Sequence, residues 1–176
     1  AMYLFDETEL RKYIQENKDQ KLVAGLVYID NYEEALEGVE EVRRPLLTAL
    51  VDRKVNKYMQ NIDAIVKKIE KDKFLVVFRQ KYLEELQTTK FALLDEVRSI
   101  NIGNEIAVTL SIGLGVNADT YIQAYDAARV AIDLALGRGG DQAVVKDGEQ
   151  IYYYGGKSQG VEKNTRVKAR VKAHAL

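Results

Sequence analysis

The chain has 176 residues with 26 Lys and Arg against 27 Asp and Glu, so its formal net charge of −1 gives no argument for nucleic-acid binding. It has no Cys and one His, which excludes a disulfide framework, a catalytic thiol and a His-rich metal centre. No apolar run reaches the roughly 18–20 residues of a membrane span, and the first 20 residues are too charged for a signal peptide. We therefore expect a soluble, cytoplasmic chain, and its ends look like those of a fragment.

The apolar periodicity predicts an α+β domain. Apolar residues three or four places apart predict helices, and alternation or short β-branched runs predict strands. In chain order the predicted elements are a helix at 6–17, a strand at 21–29, a short helix to about 44, a longer helix from about 45, strands at 64–69 and 74–79, a helix at 81–98, a strand at 106–116, a helix at 119–136, and strands at 142–146 and 149–154. Because hairpins and helical crossovers both connect the strands, the sheet should be mixed and covered by helices.

Individual residues indicate where some of these elements begin and how they pack. Asp6 and Glu9 have the spacing of a capping box at the start of the first helix. Pro45 suits the first turn of a helix, so a new helix should start there. The strand at 106–116 alternates large apolar residues with Ala, Ser, Thr and Gly. Those small residues predict that another element packs closely on the second face of the sheet.

The succession of predicted helices and strands ends after residue 154. A glycine-rich loop is followed by a basic, weakly helical tail. We therefore predict a domain at 1–154 and a linker at 155–176 that leads to a further domain outside this chain.

Four segments, in this order, resemble the GGDEF domain family of diguanylate cyclases. LVYIDNYEEALEG at 26–38 is similar to the family's first strand and its Asp-x-Asp-x-Phe-Lys segment. IEKDKFLVVF at 69–78 is similar to the signature hairpin, VTLSIGLG at 108–115 to the Thr-x-Ser-x-Gly strand, and AYDAARVAIDLALGRGG at 124–140 to the helix ending in Gly-Arg-Asn. The resemblance covers roughly 20–145 and implies the nucleotidyl-cyclase fold.

The resemblance also implies which metal ligands remain. The first Asp of the family's Asp-x-Asp segment is a metal ligand, and this chain has Tyr28 there. The second Asp of that segment is retained as Asp30. Asp72 matches the metal-binding carboxylate of the hairpin, whereas the Glu that follows it in the family is Lys73. Asp30 and Asp72 are thus the candidate ligands for a Mg²⁺ ion. Since a two-metal site needs more ligands than these, we predict no cyclase activity and assign no catalytic residue.

The nucleotide contacts that the resemblance implies are reduced as well. Glu70 and Lys71 replace the two hairpin glycines, which lack a Cβ and let the backbone approach phosphates. The residue that would read guanine is Leu36, whereas Arg138 remains from the phosphate-binding residues of the last helix. We predict that Asp30, Asp72, Lys73 and Arg138 converge on one weak nucleotide crevice.

Plainer roles stay open for the two carboxylates. Asp30 sits where a turn follows the first strand, so it could serve only to cap that turn. Asp72 lies in a predicted hairpin turn and could be no more than a turn residue.

One subfamily is more similar than the rest. The altered hairpin, followed by GRGGDQA at 137–143 and YYGGKS at 153–158, resembles the GdpP/YybT-type cyclic-di-AMP phosphodiesterases of Gram-positive bacteria. In that family two membrane helices and a PAS domain precede the degenerate GGDEF domain, and a DHH/DHHA1 phosphodiesterase domain follows it. The resemblance implies a regulatory domain that relays a signal or forms a homodimer, in a membrane-anchored parent whose Mn²⁺ belongs to the missing DHH domain. The alternative is a weak Mg²⁺-dependent ATPase or an ATP-binding sensor.

Overall fold

A computed structural model describes residues 7–155. Asp6 of the predicted capping box and the linker predicted at 155–176, apart from its first residue, lie outside this part of the chain. Within it, no helix is long and apolar enough to cross a membrane.

One six-stranded sheet forms the centre of the fold. Its strands are β1 (Leu22–Ile29), β2 (Ile65–Glu70), β3 (Lys73–Arg79), β4 (Leu110–Val116), β5 (Gln142–Asp147) and β6 (Gln150–Tyr154). They lie in the order β2-β3-β1-β4-β5-β6, and every neighbouring pair is antiparallel except β4 and β5. The predicted mixed sheet and both predicted hairpins are therefore confirmed.

Within residues 7–155, six helices and two short 3₁₀ turns accompany the sheet. The helices are α1 (Glu7–Gln20), α2 (Tyr32–Glu37), α3 (Arg44–Gln60), α4 (Leu83–Thr88), α5 (Leu93–Arg98) and α6 (Tyr121–Gly137), and the 3₁₀ turns are Glu41–Arg43 and Gln80–Tyr82. Pro45 lies in the first turn of α3, as predicted. The short helix predicted to run to about Arg44 is only the 3₁₀ turn Glu41–Arg43, and α2, which precedes it, was not predicted.

Two predicted elements differ in the structure. The helix predicted at 81–98 is split into α4 and α5, because Lys90 and Phe91 adopt φ values of +54° and +55°, which end a right-handed helix. The turn buries Phe91, whose ring centroid lies 5.2 Å from that of Tyr154. The strand predicted at 106–116 begins only at Leu110. The segment before it is held by Asn31, whose side chain donates to the Ala107 carbonyl and accepts from the Thr109 N–H.

The two faces of the sheet are covered differently. Helices α3 and α5 pack their apolar residues on one face, in a core that includes Leu47, Val55 and Leu93. Helix α6 packs along β1, β4 and β5 on the other face. Gly113 and Gly115 of β4 lie directly under its backbone, which confirms the close packing predicted from the small residues of this strand.

Candidate functional site

The candidate site lies at the end of the sheet where strand β1 finishes and strands β3, β4 and β5 begin. The Ile29 N–H donates to the Asp72 carbonyl at 2.8 Å, and the Asp30 N–H donates to the Thr109 carbonyl at 2.9 Å. The turn between β2 and β3 consists of Lys71 and Asp72. The structure therefore brings the end of β1 and the hairpin turn together, as the sequence predicts.

The carboxylate of Asp30 is an acceptor for three donors. Its Oδ1 accepts from the Ser111 hydroxyl at 2.5 Å, and its Oδ2 accepts from the Thr109 hydroxyl at 2.7 Å and from the Asp141 N–H at 2.9 Å. Burial raises the pKa of Asp30, and these hydrogen bonds act in the opposite direction because they stabilise the charged form. Both oxygens of this carboxylate are thus engaged by the chain itself.

The turn from α6 to β5 covers Asp30. Gly139 and Gly140 follow the end of α6, and their N–H groups donate to the carbonyls of Leu136 and Ala135. Gly140 has a φ of +75°, and a Cβ there would lie 2.6 Å from the Asp30 Cγ. Only glycine allows the main chain to come this close at this φ.

A buried ion pair next to this turn was not predicted from the sequence. Asp141 is 1% exposed, and its carboxylate accepts from Nη2 of Arg98 at 2.7 Å and from Nε at 3.1 Å. Arg98 also pairs with Asp95 at 2.6 Å. Because Arg98 and Asp141 are 43 residues apart, local sequence pattern carries no signal for their contact.

Lysine side chains flank Asp72 at the hairpin turn. Lys73 pairs with Glu70 at 3.0 Å, and its Nζ lies 5.2 Å from the ring centroid of Tyr28, its partner across the β1–β3 ladder. Lys71 pairs with Glu33 and lies over the ring of Tyr32. The hydrogen bond from each lysine to its glutamate raises the pKa of that lysine.

Arg138 lies at the same end of the sheet, in the turn between α6 and β5. Its Nε donates to the Gln142 side chain at 2.9 Å, and its guanidinium carbon lies 4.0 Å from the ring centroid of Tyr153 on β6. The structure thus groups Asp30, Asp72 and Lys73 on neighbouring strands, whereas the contacts of the Arg138 side chain are with Gln142 and Tyr153 on β5 and β6. Nucleotide binding by these residues stays a prediction.

Comparison with known proteins shows which family the chain belongs to and which solved domains share its fold. Residues 27–152 match the family described as "Cyclic-di-AMP phosphodiesterase GdpP-like, GGDEF domain". The chain belongs to this family. Its Tyr28, Asp30 and Asp72 all lie within the matched segment.

The relatives are much longer than this chain. The cyclic-di-AMP phosphodiesterase PdeA of Listeria monocytogenes is 40% identical over 179 residues, which cover 99% of this chain and 27% of that protein. The cyclic-di-AMP phosphodiesterase GdpP of Geobacillus thermodenitrificans is 35% identical over 176 residues, with the same two coverages. A "membrane protein-large ribosomal subunit bL9 fusion protein" of Aster yellows witches'-broom phytoplasma is 31% identical over 182 residues, 100% of this chain and 21% of that protein. The chain thus spans about a quarter of such proteins, which carry additional domains.

Solved GGDEF domains share the fold. The GGDEF domain of DgcB from Caulobacter crescentus, in complex with c-di-GMP, has a TM-score of 0.60 at 16% identity and covers 82% of this chain and 86% of its own. The active GGEEF domain of a diguanylate cyclase from Vibrio cholerae has a TM-score of 0.58 at 12% identity, with coverages of 77% and 88%. The predicted α+β, nucleotidyl-cyclase-like fold of the GdpP-like domain is therefore confirmed.

Proposed function

We propose that this chain is a regulatory GGDEF domain without cyclase activity, within a membrane-anchored cyclic-di-AMP phosphodiesterase. It relays a signal, or pairs with a second copy, between a PAS domain before it and a DHH/DHHA1 domain after it. Relatives named as cyclic-di-AMP phosphodiesterases that match 99% of the chain support the activity of the parent protein. The phytoplasma relative, named a membrane protein, supports the anchor. The Mn²⁺ that the parent uses belongs in this proposal to the DHH domain.

The proposal that the domain has no cyclase activity rests on the Tyr28–Lys73 pair. Nucleotidyl transfer needs carboxylates that hold Mg²⁺ against the phosphates. Here, facing positions of β1 and β3 carry a phenol ring and an ammonium group 5.2 Å apart. Because neither side chain supplies a carboxylate, these two positions offer no carboxylate ligand for Mg²⁺.

Incubation of the 176-residue chain with GTP and Mg²⁺ should give no cyclic-di-GMP. Tyr28 and Lys73 supply no metal-binding carboxylate, and Leu36 is an apolar side chain packed against the core, which cannot hydrogen-bond a guanine edge. Chromatography of the reaction mixture measures the product, with an active GGEEF cyclase domain as the positive control. Steady formation of cyclic-di-GMP by the purified chain would refute the proposal.

A further inference from the structure

We infer that Asp30 is a structural anchor of the α6–β5 turn and not a magnesium ligand. The GGDEF resemblance implies a Mg²⁺ ion on Asp30 and Asp72, so the donors around these two carboxylates decide whether the chain fits that ion.

The Asp30 oxygens already have donors. Two hydroxyl groups and one amide N–H point at them, from Thr109, Ser111 and Asp141. Mg²⁺ requires near-octahedral oxygen ligands at about 2.1 Å and keeps several of its waters. A hydrated ion on this carboxylate would have to displace donor hydrogens that carry partial positive charge, including a backbone N–H that has no other acceptor in the turn.

The space next to the carboxyl group is filled by main chain. A Cβ built on Gly140 would lie 2.6 Å from Cγ and Oδ2 of Asp30 and 2.8 Å from Oδ1. All three atoms of the carboxyl group are therefore in close contact with the turn. Binding of a hydrated cation at this position would require the turn to move away from β1.

The second candidate ligand, Asp72, has few potential ligands beside it. Lys71 and Lys73 lie on both sides of Asp72 in the chain, and they pair with the carboxylates of Glu33 and Glu70. Among residues 7–155, no group of three or more Asp, Glu or His side chains is arranged to hold a metal ion. Asp72 belongs to no such group, and a single carboxylate is by itself a poor Mg²⁺ site.

Asp30 connects several elements of the fold at this end of the sheet. Asp30 joins the end of β1 to Ser111 of β4, to Thr109 just before β4, and to the α6–β5 turn through the Asp141 N–H. Asp141 in turn binds Arg98 of α5. Gly155, the last described residue, packs on this assembly: a Cβ there would lie 2.5 Å from Leu94 Cδ1 and 3.8 Å from the Asp141 carbonyl oxygen. Asp30 is therefore connected to α5 through Asp141 and Arg98 as well as to the strands beside it.

Thermal unfolding of variants tests the anchor. Asp30→Ala leaves three buried donors without an acceptor and should lower the Tm of the 176-residue chain by roughly 5–10 °C. Asp30→Asn should lower it by less than half as much, because the amide oxygen still accepts from the Asp141 N–H. The matched control Asp72→Ala should change the Tm by no more than about 2 °C. All of these values should be the same in EDTA and in millimolar Mg²⁺.

A titration of the ¹⁵N-labelled parent chain with Mn²⁺ gives a readout that does not depend on whether Asp30→Ala folds. The amide signals of residues 30, 109, 111 and 141 should broaden no more than those of other acidic surface segments. Selective broadening of these four signals that is lost in Asp30→Asn would overturn the inference. A parental Tm in Asp30→Ala, or a Mg²⁺-dependent rise in Tm that requires Asp30, would overturn it as well.

Discussion

Gly115→Ala should destabilise the domain by at least about 3 kcal/mol, the upper end of overpacking costs. A Cβ at this position would lie 2.0 Å from the carbonyl oxygen of Ala124 in α6. Because the obstacle is backbone, no side-chain rotation relieves the clash, and α6 must move off β4. That movement exposes residues of α6 that are now buried, such as Ala128 and Ile132. Urea unfolding followed by circular dichroism measures the loss.

Two further glycines complete this test. Gly113→Ala should behave like Gly115→Ala, since its Cβ would lie 2.4 Å from the backbone nitrogen of Ile132. Gly137→Ala is the control, because nothing lies within 4 Å of its Cβ and alanine favours the helix. The control should be unchanged or more stable by up to about 1 kcal/mol. Parental stability in Gly115→Ala would contradict the close contact between α6 and β4.

Arg98→Ala should cost about 3–5 kcal/mol, the range for removing one partner of a buried pair. The Asp141 carboxylate is 1% exposed, and both of its oxygens accept from the Arg98 guanidinium. Without Arg98 a buried negative charge loses its partner, and it must either stay uncompensated or take up a proton. The free energy of unfolding from urea titration at neutral pH measures the effect.

A double-mutant cycle separates the charge effect from lost packing. Asp141→Asn removes the charge, and asparagine tolerates the φ of +56° at this position. The variant with both changes should therefore be more stable than the sum of the two single effects predicts. Arg11→Ala removes an exposed arginine that pairs with Glu7 and should leave stability nearly unchanged. Additive effects at Arg98 and Asp141 would mean that the pair does not act as a unit.

The parts of the fold that local chemistry determines were predicted from the sequence. Pro45 indicated the start of α3, and the small residues of β4 indicated the approach of a second layer. The break between α4 and α5 was missed because it depends on positive φ at Lys90 and Phe91, which are not turn-forming residues.

The site was predicted less completely, because its contacts connect distant parts of the chain. Asp30 and Asp72 lie at the same end of the sheet, as expected, since they are at the ends of paired strands. The hydrogen bonds of Asp30 to Thr109 and Ser111 span about 80 residues, and no local pattern predicts them. Arg138 was expected in the same crevice, whereas its side chain contacts Gln142 and Tyr153 on β5 and β6.

Hydrolysis of cyclic-di-AMP is the measurement that tests the central claim most directly, namely that this domain regulates and does not itself process cyclic dinucleotides. The 176-residue chain and the longer parent protein would each be incubated with cyclic-di-AMP and Mn²⁺. Phosphodiester hydrolysis needs a metal-activated water held by several fixed ligands. Residues 7–155 show no cluster of such ligands, and the one His of the chain, His174, is outside this part. We expect hydrolysis by the parent protein and none by the chain, and turnover by the chain alone would contradict the claim.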